Sequence, residues 1–169
     1  MIRNGVDVEK LAETVKAVTG DPKKAQVKFI ANTMWVNGAC SKTKIRNFEI
    51  DCDEPPALLG TNTAPNPVET ILAALGSCLA VGFAYSAATR GINLESLEIS
   101  SEGELDLRGF LGISDDVRPG YQSIRVTCRI KSDTSKEKLS ELYEHVLKTS
   151  PVRDIVQNLE PLTIMLEKI

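Results

Sequence analysis

Val8, Leu11, Val15 and Val18 recur three to four residues apart among polar neighbours, which predicts an amphipathic surface helix over Asp7 to Thr19. Asp7 suits its N-cap and Gly20 its stop. The pattern then changes to two runs rich in Val, Ile, Phe, Thr and Trp, AQVKFIANTMWV and ACSKTKIRNFEI, around Asn37-Gly38. Asn-Gly fits a type I′ turn, so a β-hairpin is expected. From Cys52 to Asn66 neither the strand period nor the helix period survives, and the stretch is rich in Pro, Gly and Asn. Loops of that length in a compact domain are usually functional or disordered.

Asn66-Pro67-Val68-Glu69 carries three helix-start signals together: Asn at the N-cap, Pro at N1 and Glu at N3 closing a capping box. The helix is expected to run to Gly91, and Thr70 to Thr89 contain no charge. An uncharged stretch of about 20 residues is long enough to span a bilayer. Its flanks argue against that reading, because only Arg90 supplies a cation near either end and Ala73, Gly76, Ser77, Ala80, Gly82 and Ala84 make it small-sided. A helix apolar on every side is otherwise a buried one, so a central core helix is expected.

Leu97, Ile99, Gly103, Leu105 and Leu107 fall on one face of a strand, with Glu98, Glu102, Glu104 and Asp106 on the other. After the irregular RGFLGISDDVRPG, Ile124, Val126, Cys128 and Ile130 alternate with Arg125, Thr127, Arg129 and Lys131. The acidic and basic faces are expected to pair across strands. Thr134 and Glu137 suggest a second capping box, opening a helix with Leu139, Leu142, Val146 and Leu147 as its stripe. Ser150-Pro151 starts a short helix to Asn158, and Leu162, Ile164 and Leu166 suggest a closing strand. The order α, β, β, α, β, β, α, α, β predicts an α+β fold, with antiparallel hairpins around a long central helix, in a single domain over 1–169.

A chain of 169 residues with 42% apolar content has core enough to fold without a staple. Twenty Lys and Arg against 23 Asp and Glu give a net charge of −3 with scattered basic residues, so no nucleic-acid partner is expected. MIRNGVDVEK has neither an apolar stretch nor a cleavage pattern, which points to the cytoplasm. Cys40, Cys52, Cys78 and Cys128 are too widely spaced for a CxxC pair, and His145 adds no standard zinc spacing, so free thiols and no metal or other cofactor are expected. Dinucleotide, P-loop, zinc-protease and serine-hydrolase motifs do not occur.

The remaining candidate chemistry is that of thiols. Cys128 sits on an apolar strand face, Cys40 follows the hairpin turn and Cys52 opens the long loop; all three read as incidental or core residues. Cys78, inside the apolar helix, reads physically as a small buried hydrophobe unless a positive partner is near.

The run NPVETILAALGSCLA, followed by a capped helix and then SPV, resembles the osmotically inducible protein C (OsmC) and organic hydroperoxide resistance (Ohr) family from about Gln26 to Ile169, with residues 1–20 as an additional N-terminal helix. That resemblance implies a thiol peroxidase in which Cys78 attacks a hydroperoxide and becomes a sulfenic acid, supported by an Arg and a Glu and resolved by a second cysteine. It further implies an intertwined homodimer with its sites at the interface. This chain departs from the pattern in three places. Ser150 stands at the second cysteine, and a hydroxyl forms no disulfide, so an external thiol reductant or a loop cysteine would have to resolve Cys78; as an N-cap Ser150 also has a structural explanation. The Glu position is Val68, with Glu69 one step later, and Glu69 is also explained as a capping-box acid. Glu69 and Cys78 are separated by nine residues of helix, about 13 Å. The hairpin turn has no Arg; Arg46, which reads as a solvent-facing strand residue, and Arg153 are the substitutes. Two functions follow: reduction of organic hydroperoxides with Cys78 as sole peroxidatic cysteine, or a non-catalytic protein binding a hydrophobic ligand in the interface pocket.

Overall fold

The computed structural model describes residues 1–158 and 161–168. Two short strands, β1 (Ile2–Arg3) and β2 (Val6–Asp7), pair around a turn in which Asn4 and Gly5 have positive φ. Helix α1 (Val8–Gly20) follows with Asp7 as its cap, as the sequence predicts, but buries none of its residues. It is attached through the residues before it. Arg3 Nη1 donates to the Ala88 carbonyl at 3.2 Å, Asn4 Nδ2 donates to the Ile92 carbonyl at 2.9 Å, and Asn4 Oδ1 accepts from the Leu94 amide at 3.0 Å.

The expected hairpin is a three-stranded antiparallel meander, β3 (Asn32–Asn37), β4 (Cys40–Ile45) and β5 (Phe48–Cys52). The second run breaks at Arg46-Asn47, where Arg46 takes φ 55° without the help of a glycine. Arg46 is therefore a turn residue rather than a strand residue, and its guanidinium lies 5.1 Å from the Phe48 ring centroid, a cation–π contact. Both strand faces leave apolar side chains in solvent, among them Met34, Trp35, Phe48 and Ile50.

Helix α2 (Pro67–Thr89) starts in the predicted capping box, with both reciprocal bonds between Asn66 and Glu69 at 2.8 Å. By length and composition it could cross a membrane, yet it packs on the sheet and helices that follow it. Leu75, Leu79, Phe83, Ala87 and Ala88 are buried, while Ile71, Val81 and Tyr85 are exposed. Within one chain the helix is thus buried along one side, not all round, because the elements of that chain cover only one of its faces.

Strands β6 (Ser96–Leu105) and β7 (Tyr121–Lys131) pair antiparallel, and the opposed charges meet as expected: Glu98 faces Arg129 and Glu102 faces Arg125. Leu107 lies beyond the strand, in the helical turn α3 (Leu107–Phe110), where Asp106 takes up the helix start and pairs with Arg108. Helix α4 (Lys136–Thr149) is capped by Ser135, whose Oγ accepts from the Lys138 amide at 3.4 Å, so the cap is one residue later than Thr134. Thr134 instead donates its amide to Ser132 Oγ. Helix α5 (Pro151–Gln157) follows directly.

No strand forms over 161–168, where Leu162, Ile164 and Leu166 are exposed. Their alternation is right for a strand, but no described sheet edge pairs with them. The core is a single cluster of Leu75, Leu79, Phe83, Ile92, Leu142 and Val146, over which the inner faces of β6 and β7 close. This is the expected α+β architecture of small antiparallel sheets and one long helix.

Candidate functional site around Cys78 and Ser150

Cys78 lies mid-way along α2, half-buried, on the side that meets α4 and α5. The close approach of those helices begins at Gly82, one turn further on, where a Cβ would lie 3.1 Å from Val146 Cγ1. Val146 is fully buried, and the chain turns sharply at Ser150 from α4 into α5. This turn brings Ser150 Oγ to 3.3 Å from Cys78 Sγ across 72 residues of sequence. Ser150 is buried, and the same oxygen caps α5 by accepting from the Arg153 amide at 3.4 Å. Of the four cysteines, Cys78 is the one paired with the position that the family resemblance singles out.

Arg153 is half-buried; its Nη1 donates to the Leu147 carbonyl at 3.0 Å, at the end of α4. Cations stabilise that end of a helix. Arg153 also lines a cavity of about 790 Å³ between α2, β7, α4 and α5, with Val68, Leu75, Leu79, Tyr121 and Val152 among its walls. Among the described residues two arginines, Arg118 and Arg153, line it and no Asp or Glu does. Cys78 is not itself in the lining; it sits one turn beyond Ala74 and Leu75, which are, with Ser150 two residues before Val152. On the other flank of α2, a cavity of about 400 Å³ against β6 is lined by Gly76, Ser77 and Ser101, and Ser101 Oγ is buried there without a hydrogen-bond partner among the described residues.

The other candidates lie elsewhere. Glu69 is engaged by its own helix start, and Arg46 by Phe48 in the β4–β5 turn. Val68, the residue before Glu69, has its carbonyl bound by the Tyr121 hydroxyl at 2.8 Å. Burial, followed by the charge of Glu69, pushes the Tyr121 phenol up. Burial likewise pushes up the thiols of Cys128 and of Cys40, the latter further raised by the Asp53 carboxylate. Neither is thereby prepared as a thiolate. Among the described residues no group of His, Cys, Asp and Glu could hold a metal ion.

The loop after β5 contains an organising residue that the sequence reading missed. Asp53 is fully buried and its carboxylate accepts from the Glu54 amide and from both the amide and the hydroxyl of Thr61 and of Thr63. These bonds, led by the Thr61 hydroxyl, hold the carboxyl well below its ordinary range. The available signal was an Asp followed by two Thr in a turn-rich stretch, the residues whose side chains compete for backbone amides. The 52–66 loop is thus tied down, and it delivers the chain to Asn66 at the head of α2.

A sequence model of the OsmC-like protein family matches residues 60–164. The chain belongs to this family. Its fold is that of solved OsmC-like structures. An OsmC-like protein from Mycoplasma pneumoniae superposes with a TM-score of 0.69 at 18% identity, covering 79% of this chain and 90% of that one. An organic hydroperoxide resistance protein from Legionella pneumophila gives 0.57 at 17% identity, over 78% and 90%. The organic hydroperoxide resistance protein OhrB of Bacillus subtilis gives 0.53 at 20%, over 76% and 91%. A comparison with curated protein sequences finds no match. Within the OsmC-like fold of this chain, the Cys78–Ser150 contact joins the central helix to the turn between the last two helices.

Proposed function

We propose that this OsmC-like protein reduces organic hydroperoxides in the cytoplasm with Cys78 as its sole peroxidatic thiol. The observation that carries the reading is the Cys78–Ser150 contact beside a largely apolar cavity edged by Arg118 and Arg153. The Cys78 thiolate attacks the terminal hydroperoxide oxygen, the O–O bond breaks, and the departing alkoxide takes a proton to leave as the alcohol. Cys78 is left as a sulfenic acid. Ser150 cannot resolve it, so an external thiol condenses with the sulfenic acid to give a mixed disulfide and water, and a second thiol releases Cys78 and the disulfide product. Arg153 follows Ser150 by three residues and lines the cavity, and its guanidinium is the group we assign to the departing oxygen. Glu69 and Arg46 are left to structural duties.

The protein acts as an intertwined homodimer in this reading. The exposed apolar side of α2, the β3–β5 meander with Trp35 at 73% exposure, and the 161–168 segment with Leu166 at 100% leave large apolar side chains uncovered within one chain, the kind of surface that marks an interface. A second copy is the partner that the family resemblance implies. One observation favours a second reading, a non-catalytic binder of a hydrophobic ligand: Val68, at the position of the family Glu, gives the cavity an apolar wall in place of an acid.

Stopped-flow oxidation of the reduced protein decides between them. Cumene hydroperoxide is expected to oxidise Cys78 faster than hydrogen peroxide does, with no reaction in Cys78→Ser. Oxidation no faster than that of a free thiol would overturn the peroxidase and leave the binder.

A further inference from the structure

We infer that Ser150 is a positioning residue for the reactive sulfur, donating its hydroxyl hydrogen to Cys78 Sγ and favouring the ionised thiol, in addition to capping α5. This deepens the peroxidase reading, since it concerns the sulfur which that reading makes reactive. The direction of the bond follows from what surrounds the oxygen. Ser150 Oγ already accepts from the Arg153 amide, and burial leaves Ser150 only 6% exposed, so its hydrogen has little water to turn to. Cys78 Sγ, at 3.3 Å, is the hydrogen-bond partner on the other side. Once the thiol ionises, the sulfur has no hydrogen and only Ser150 can donate. Such charge-assisted bonds are stronger than neutral ones.

Among the described residues, the charged and titratable groups on the adjoining cavity wall are Arg118, Arg153, Tyr121, Tyr143 and Cys128. The replacement of the family's second cysteine therefore leaves a hydrogen-bond donor where a nucleophile is lost.

The test is alkylation of Cys78 by iodoacetamide on the reduced full-length protein across pH, without peroxide, each cysteine being read by mass spectrometry. Ser150→Gly removes the hydroxyl while keeping a good N-cap, and is expected to slow alkylation of Cys78 several-fold at neutral pH. Ser150→Thr keeps cap and hydroxyl and is expected to restore the wild-type profile. Ser150→Asp caps as well as Ser but presents an anion with no hydrogen, and is expected to slow alkylation further. A Gly or Asp variant with an unchanged profile would overturn the inference and leave Ser150 a cap alone. Because no peroxide is used, this failure is separate from failure of the peroxidase reading, which shows only in the oxidation assay.

Discussion

The Tyr121 hydroxyl donates to the Val68 carbonyl at 2.8 Å while the Tyr121 ring fills the place of a side chain at Gly103, where a Cβ would come within 2.6 Å of the ring. One residue thus ties the start of β7 to the first turn of α2. Tyr121→Phe keeps the ring and loses the bond, and is expected to cost about 0.5–1.5 kcal/mol. Gly103→Val forces the ring aside, and is expected to cost about 1–3 kcal/mol. Urea titrations of the two variants against wild type measure both.

Replacing Ser150 with cysteine puts a second thiol where an oxygen already lies 3.3 Å from Cys78 Sγ. A disulfide needs a sulfur separation of about 2.05 Å, a shift of roughly 1 Å from that contact. Ser150→Cys is therefore expected to form an internal disulfide after one equivalent of cumene hydroperoxide, and to raise steady-state turnover with dithiols several-fold. Wild type is expected to give a dimedone-trapped sulfenic acid on Cys78 instead. Mass spectrometry of the two oxidised proteins checks the outcome; an equally fast internal disulfide in wild type, from Cys78 to Cys40 or Cys52, would contradict it.

Asp53 predicts an acid-side loss of stability. Its folded carboxyl is held below the unfolded value, so its contribution is complete above the ordinary carboxylate range, about pH 4, and is lost as pH falls from there towards the depressed value. Tm is expected to fall on acidification through that window. Asp53→Asn is expected to start with a lower Tm at pH 7 and to show a shallower acid slope, which scanning calorimetry across pH resolves.

Trp35 is the sole tryptophan of the chain and lies on an open sheet face. If a second copy covers that face, its emission is expected to be blue-shifted at micromolar concentration and to move to the red on dilution, in step with the mass from sedimentation. A solvent-exposed emission at every concentration, with a monomer mass, would refute the dimer.

Features resting on local pattern were legible from the residues: the α1 cap at Asp7, the α2 capping box, and the complementary alternation that sets the charges of β6 against those of β7. The turn at Arg46-Asn47 was not, because it contains neither Gly nor Pro and its positive φ is sustained by the strand pairing on either side. Ser135 is the better cap by type, but the Thr134–Glu137 spacing imitates a capping box, and only the path of the chain chooses between them. The strand expected at Leu162 to Leu166 has the right alternation, but a strand also needs an edge to pair with, which alternation does not report. At the site, Cys78 and Ser150 are 72 residues apart, and no local pattern joins them; family resemblance supplied that pair, while the tying of the 52–66 loop by Asp53 needed coordinates.

The attachment of α1 has a kinetic consequence. Arg3 and Asn4 find their partners 85 to 90 residues further along the chain, at Ala88, Ile92 and Leu94. Contacts of such long range close late, since the loop between them must first be ordered by other interactions. Bonds absent from the folding transition state slow unfolding and leave the folding rate alone. Asn4→Ala should accordingly steepen no part of the refolding limb of a chevron plot but raise the unfolding limb. The opening residues of this chain would then act as its final fastening, governing how long the folded state lasts rather than how quickly it is reached.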